Sequence, residues 1–154
     1  MRRITSAEAS TNAGELEIDH GGAIAVDTEQ LREVGARLCT VASRFAEARE
    51  AVGRAQALLS SSAQADPHVD LGALRRSGDQ VGKLGAEIEN AGTGTLLMAD
   101  AFEVVELRGQ AEALALTDAA AANEAQARAD EMVEADARLG TMADWLVAAW
   151  KRQR

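Results

Sequence analysis

The chain has no tyrosine, two phenylalanines, two tryptophans, one proline, one cysteine and two histidines among its 154 residues. Each scarcity excludes something. A lone thiol, Cys39, cannot close a disulfide within the chain, and one sulfur needs histidine partners to hold zinc. His20 and His68 both stand in segments that read as loops. Nucleophilic catalysis needs a base beside the nucleophile, and helical di-metal sites need histidine on a facing helix. Neither is available, so no catalytic residue, metal site or cofactor is expected. No stretch approaches the 18 or so uninterrupted apolar residues of a membrane span, and no apolar region follows Arg2-Arg3, so neither membrane insertion nor a cleavable leader is expected. Lys and Arg number 16 against 25 Asp and Glu, a net charge of -9. Phosphate backbones reward clustered bases, so nucleic acid is not an expected partner.

What is abundant is alanine, 34 residues by count. Ala has the highest helix propensity, and with Leu, Glu, Arg and Gln it makes the composition of long helices. The fold class is therefore all-α. Residues 1–24 lack apolar periodicity and read as a flexible arm ending in His20-Gly21-Gly22. Order begins at Val26-Asp27-Thr28-Glu29-Gln30-Leu31, where Asp27 can cap the first turn, Gln30 can return the bond and Val26 can staple to Leu31.

Behind that cap, Leu31, Val34, Leu38, Val41, Phe45, Ala48, Val52, Ala55 and Leu59 alternate in steps of three and four, a coiled-coil-like seam on a helix over about 27–61. Glu33/Arg37 and Glu50/Arg54 stand in the favourable i,i+4 order. The run Ser60-Ser61-Ser62 and Asp66-Pro67-His68 break the chain; Asp66 with Pro67, or Asp70 alone, can cap the next helix. That second helix, over about 70–107, carries Leu74, Ser77, Val81, Leu84, Ile88, Ala91, Thr95, Met98, Phe102 and Val105 in the same alternation. Two matched helices joined by one short loop fold back as an antiparallel hairpin. The seam residues expected to form its interface are Leu31, Leu38, Val41, Phe45, Val52, Leu74, Val81, Leu84, Ile88 and Met98.

The second helix also carries Gly72, Gly78, Gly82, Gly85, Gly92 and Gly94. Each interior glycine costs roughly 0.5–1 kcal/mol against alanine, so a tertiary contact has to compensate. Either the glycines let another backbone approach closely, or Asn90-Ala91-Gly92-Thr93-Gly94 breaks the helix. A third, acidic helix is expected over about 110–152, opening near Thr117-Asp118, its segment 109–150 holding eight acids and two bases. Asp130, Glu131, Glu134 and Asp136 read as a solvated face. Trp145 and Trp150, five residues apart, point about 140° from one another on a helix. Trp145 reads as core and Trp150 as interface or free end, and both are candidates for partner contact.

The stretch Ile24-Ala25-Val26-Asp27-Thr28-Glu29-Gln30-Leu31, the hairpin, and Leu97-Met98-Ala99-Asp100-Ala101-Phe102-Glu103-Val104-Val105-Glu106 together resemble the ESX-type, Trp-x-Gly helical hairpin proteins of actinobacterial type VII secretion. The resemblance covers residues 24–108. Its loop has no Trp-x-Gly, as in the branch lacking that turn. Phe102 and Glu106 stand where that family carries a Tyr-x-x-x-Asp/Glu export motif, with Phe in place of Tyr. The resemblance implies a non-enzymatic protein that is synthesised in the cytoplasm and is either secreted, without a cleavable signal peptide, or associated with secreted partners. Its implied partners are a second hairpin, in a homodimer or heterodimer, and a secretion ATPase. The domains are then an arm (1–24), an ESX-like hairpin (25–108) and an extra helix (109–154), which completes either a three-helix bundle in one chain or a four-helix-type dimer. Rival readings are a cytoplasmic regulatory or sensing bundle, for which the seam offers only Ser77 and Thr95 as polar groups, and a phage or assembly scaffold.

Overall fold

The computed structural model describes residues 15–18, 24–63 and 70–152. Four helices dominate it: α1 (Thr28–Ala63), α2 (Leu71–Leu114), α3 (Ala119–Ala135) and α4 (Ala137–Lys151). The architecture is all-α, with one short antiparallel ribbon before α1. In it β1 (Glu15–Ile18) pairs with β2 (Ile24–Asp27), setting Leu16 opposite Val26 and Ile18 opposite Ile24. Part of the expected flexible arm is therefore a strand. Its apolar residues alternate with period two, and β-branched Ile18, Ile24 and Val26 favour extended backbone. His20-Gly21-Gly22, the Asp66-Pro67-His68 break and the rest of the arm lie outside the described residues.

Local capping chemistry sets three of the helix starts. The Gln30 amide donates to Asp27 Oδ1 at 2.9 Å, the Ala73 amide to Asp70 Oδ1 at 2.9 Å, and the Ala121 amide to Asp118 Oδ1 at 3.0 Å. Asp70 alone thus serves α2 among the described residues. The fourth start departs from the sequence expectation: the single third helix is two helices, divided at Asp136. That residue is in extended backbone and accepts from the Arg138 amide at 2.9 Å, while its carboxylate also holds the Arg138 guanidinium. These bonds, led by the Arg138 side chain, pull the Asp136 carboxyl below its usual range. Gly140 stands four residues after Asp136, and a Cβ there would meet Val133 Cγ1 at 3.1 Å. Helix α2 also runs past its expected end near residue 107. Gly109 does not stop it: the residue does not take the left-handed conformation with which glycine commonly ends a helix.

The chain divides into two compact units, Glu33–Thr95 and the remainder. The second unit has a buried core: Ala101, Val104 and Leu107 of α2 meet Ala129 of α3 and Leu139 and Ala143 of α4. Val104 and three of these alanines are wholly inaccessible. Small side chains at the crossings let the helix axes approach, and Val104, Leu107 and Leu139 fill what remains. At the surface of this unit, Arg128 donates to Glu103 at 2.8 Å and Arg108 to Asp144 at 3.0 Å. Arg32, in the first turns of α1, bonds both Asp100 (2.9 Å) and Glu103.

Candidate functional site

Asp70 aside, the described residues of the unit Glu33–Thr95 belong to α1 and α2, and glycine brings the two helices together. A Cβ built on Gly78 would stand 3.1 Å from Val52 Cγ1, on Gly82 3.0 Å from Arg49, and on Gly85 2.9 Å from Phe45 Cβ. On Gly92 it would stand 2.8 Å from Cys39 Sγ and 3.0 Å from both the Cys39 nitrogen and the Gly35 oxygen. Residue numbers fall along α2 as they rise along α1, so the helices are antiparallel, and α2 continues unbroken through Asn90–Gly94. Of the two readings of the glycines, close backbone approach holds. Cys39 is half-buried packing on that contact.

Because glycine makes the contact, the large apolar side chains do not close it. Among the described residues of this unit only Gly35, Ala42, Gly85 and Gly92 are buried. Val41 is 39% and Leu84 50% exposed, and Val34 is exposed too. Leu38, Phe45, Val52, Leu74, Val81 and Ile88 are only half-buried. Leu31 and Met98, in the other unit, are likewise half-buried.

The positions of these residues follow from helix geometry. At 100° per residue, the row Val34, Val41, Ala48, Ala55 lies beside the α1 contact line, and the rows Val81, Ile88 and Leu84, Ala91 lie beside the glycine line of α2. Both are displaced in the same rotational sense along their own helix. Reversing the axis of one helix turns that into the same side of the pair. The hairpin therefore has one apolar side. Its opposite side is a groove of about 450 Å³ edged by Arg49, Glu50 and Glu89. The Glu33/Arg37 (2.5 Å) and Glu50/Arg54 (3.6 Å) pairs form as their spacing predicts. The two polar seam residues do not converge: Ser77 is exposed, and the Thr95 hydroxyl donates to the Ala91 carbonyl at 2.8 Å.

Phe102 and Glu106 lie in the other unit, both half-buried on α2. Glu106 borders a cavity of about 430 Å³ with Glu29, Arg32, Glu103, Gln110 and Arg128. Burial, and then repulsion from Glu103, push its carboxyl up, against a hydrogen bond from Gln110 Nε2 at 3.2 Å. The folded state thus holds the Glu106 proton more tightly than the unfolded chain does. Its contribution to stability is largest in acid and is lost as pH rises from the ordinary 4.5 through the raised value. Glu106→Gln should therefore stabilise the protein slightly at neutral pH, by about 0.5 kcal/mol or less given solvent screening, with no gain at pH 4. Thermal melts at the two pH values measure this.

The tryptophans reverse their expected roles. Trp145 is 54% exposed, whereas Trp150 is half-buried beside Val105, Arg108 and Val147. Spacing fixes their divergence, but only the docking of α4 on α2 decides which one turns inward. Among the described residues no group of three or more His, Cys, Asp or Glu side chains is placed to hold a metal ion, and no helix is long and apolar enough to cross a membrane. Comparison with protein-family models, with curated proteins and with solved structures finds no match for this chain.

Proposed function

We propose that the protein is a non-enzymatic helical pairing module of a type VII, ESX-like secretion system, acting as secreted substrate or as pairing partner, with the apolar side of its hairpin as the pairing surface. The observation that carries this reading is that, among the described residues of Glu33–Thr95, no large side chain is buried. Val34, Val41, Leu84 and their half-buried neighbours stand along one side, where among the described residues of that unit no third element covers them. A two-helix layer buries little apolar surface alone, and a second layer against this side completes a four-helix bundle. The start at Val26-Asp27 and the Phe102/Glu106 pair support the assignment to this type of secretion through their resemblance alone. In the pairing, the occupant is a second hairpin, from the same chain or a related one; a secretion ATPase is the further partner.

The test is the mass in solution, by light scattering over a concentration series, of the protein alone and mixed with hairpin proteins encoded beside it. The expected result is a species near twice the 16.2 kDa of one chain. A monomer under every condition refutes the pairing. Export is tested separately, by the level of the protein in culture supernatant with and without the secretion ATPase, and equal levels refute that part.

A further inference from the structure

We infer that the outer face of α4 is a second docking surface, distinct from the hairpin side, and that it receives an acidic amphipathic helix. Leu97 and Met98 of α2, with Thr141, Met142 and Trp145 of α4, line an open groove of about 550 Å³ with Arg138 at its edge. Trp145 is the most exposed aromatic side chain among the described residues. An indole half in water beside two methionines is an unfilled apolar contact. Thioethers are adaptable packing partners, and tryptophan is the side chain most enriched at binding hot spots.

Charge selects the occupant. On a helix, Arg138, Thr141, Met142, Trp145, Ala149 and Arg152 fall within about 60° of one line, so the apolar centre is bounded by a guanidinium at each end, roughly 20 Å apart. Arg138 is held in place by Asp136 through Nε and Nη2, which leaves it further N–H donors for an incoming carboxylate. Arg152 is exposed, and no acid pairs with it among the described residues. The nearest acid on α4, Asp144, is turned to Arg108 at 3.0 Å, off this line. The surface is thus apolar in the middle, with the unpaired cation Arg152 at one end and, at the other, Arg138, whose charge Asp136 balances but whose remaining N–H groups can still donate, on a chain whose net charge is -9. The complementary ligand is a helix with aliphatic anchors at i, i+4 and i+7 and acids toward its two ends. The acid-rich α3 of a second copy does not qualify, because its apolar face is already buried by Ala129 and flanked by Met132 and Val133.

The probe is a fluorescent synthetic helix of roughly 14–18 residues, with leucines at that spacing and glutamates at both ends. Lysine-ended and leucine-scrambled versions serve as controls, and anisotropy is read against the intact protein. The acidic helix should bind saturably and more weakly as salt is raised. Trp145→Gln should weaken it about tenfold or more. Arg152→Gln, which leaves the Asp136–Arg138 pair intact, should weaken it several-fold and flatten the salt dependence. Trp145 is exposed, so unchanged helicity by circular dichroism is expected and confirms that the variant is folded. No binding, equal binding of the lysine-ended helix, or binding indifferent to Trp145→Gln overturns the proposal. So does self-association that Trp145→Gln abolishes, which assigns the groove to a second copy.

Discussion

Gly92→Leu should destabilise the protein by about 3 kcal/mol, near the upper end of what overpacking costs. The space a side chain would need is occupied mainly by backbone, the Cys39 nitrogen and the Gly35 oxygen, each 3.0 Å from the position of a Cβ. Neither can rotate away, so α1 and α2 have to part. A midpoint lower by about 10 °C is expected for a chain of this size. The control has the opposite sign. Gly94 is also mid-helix but has nothing within 4 Å. Gly94→Ala therefore keeps only the helix-propensity gain, about 0.5–1 kcal/mol of stabilisation. Gly82→Ala should fall between them, since its obstacle is the flexible Arg49 side chain. Urea denaturation followed by circular dichroism measures all three. Equal effects at positions 92 and 94 would show that the glycines do not mark the helix contact.

The second large effect is on association. Val41→Asp with Leu84→Asp should turn the expected dimer into a monomer, raising the dissociation constant about a thousandfold or more, because each pairing event would bury four carboxylates without partners. Both side chains are exposed in the single chain, so helix content should be retained. Ser43→Asp, on the side of α1 turned away from the row of Val41, should leave the mass unchanged. If the double variant still dimerises, pairing lies elsewhere on the molecule.

Much of the fold is legible because capping is local chemistry. Asp27, Asp70 and Asp118 stand just before helices whose first amides they bind, and three residues suffice to recognise each. Asp136 escapes notice for the same locality. Ala135-Asp136-Ala137 contains no glycine or proline, and its break rests on Arg138 reaching back to the carboxylate. In a charged stretch that bond looks like one more surface pair. The seam is half legible: the three-four alternation locates an apolar stripe on each helix but assigns it to the contact between them. Counting large residues overlooks glycine, and here glycine makes the contact, so the stripes come to lie beside it. Which tryptophan faces inward is not legible at all, because it depends on the side of α2 that α4 meets.

The glycine stripe also bears on how the chain folds. Residues 71–95 hold six glycines, enough to make an isolated helix there unfavourable by several kcal/mol relative to alanine. Residues 28–63 hold only Gly35 and Gly53 and can sample helix unaided. During synthesis α1 emerges first and can serve as the template. The α2 segment then gains helix and tertiary contact in one step, so its ordering rate should track the strength of the docking surface on α1 more than its own propensity.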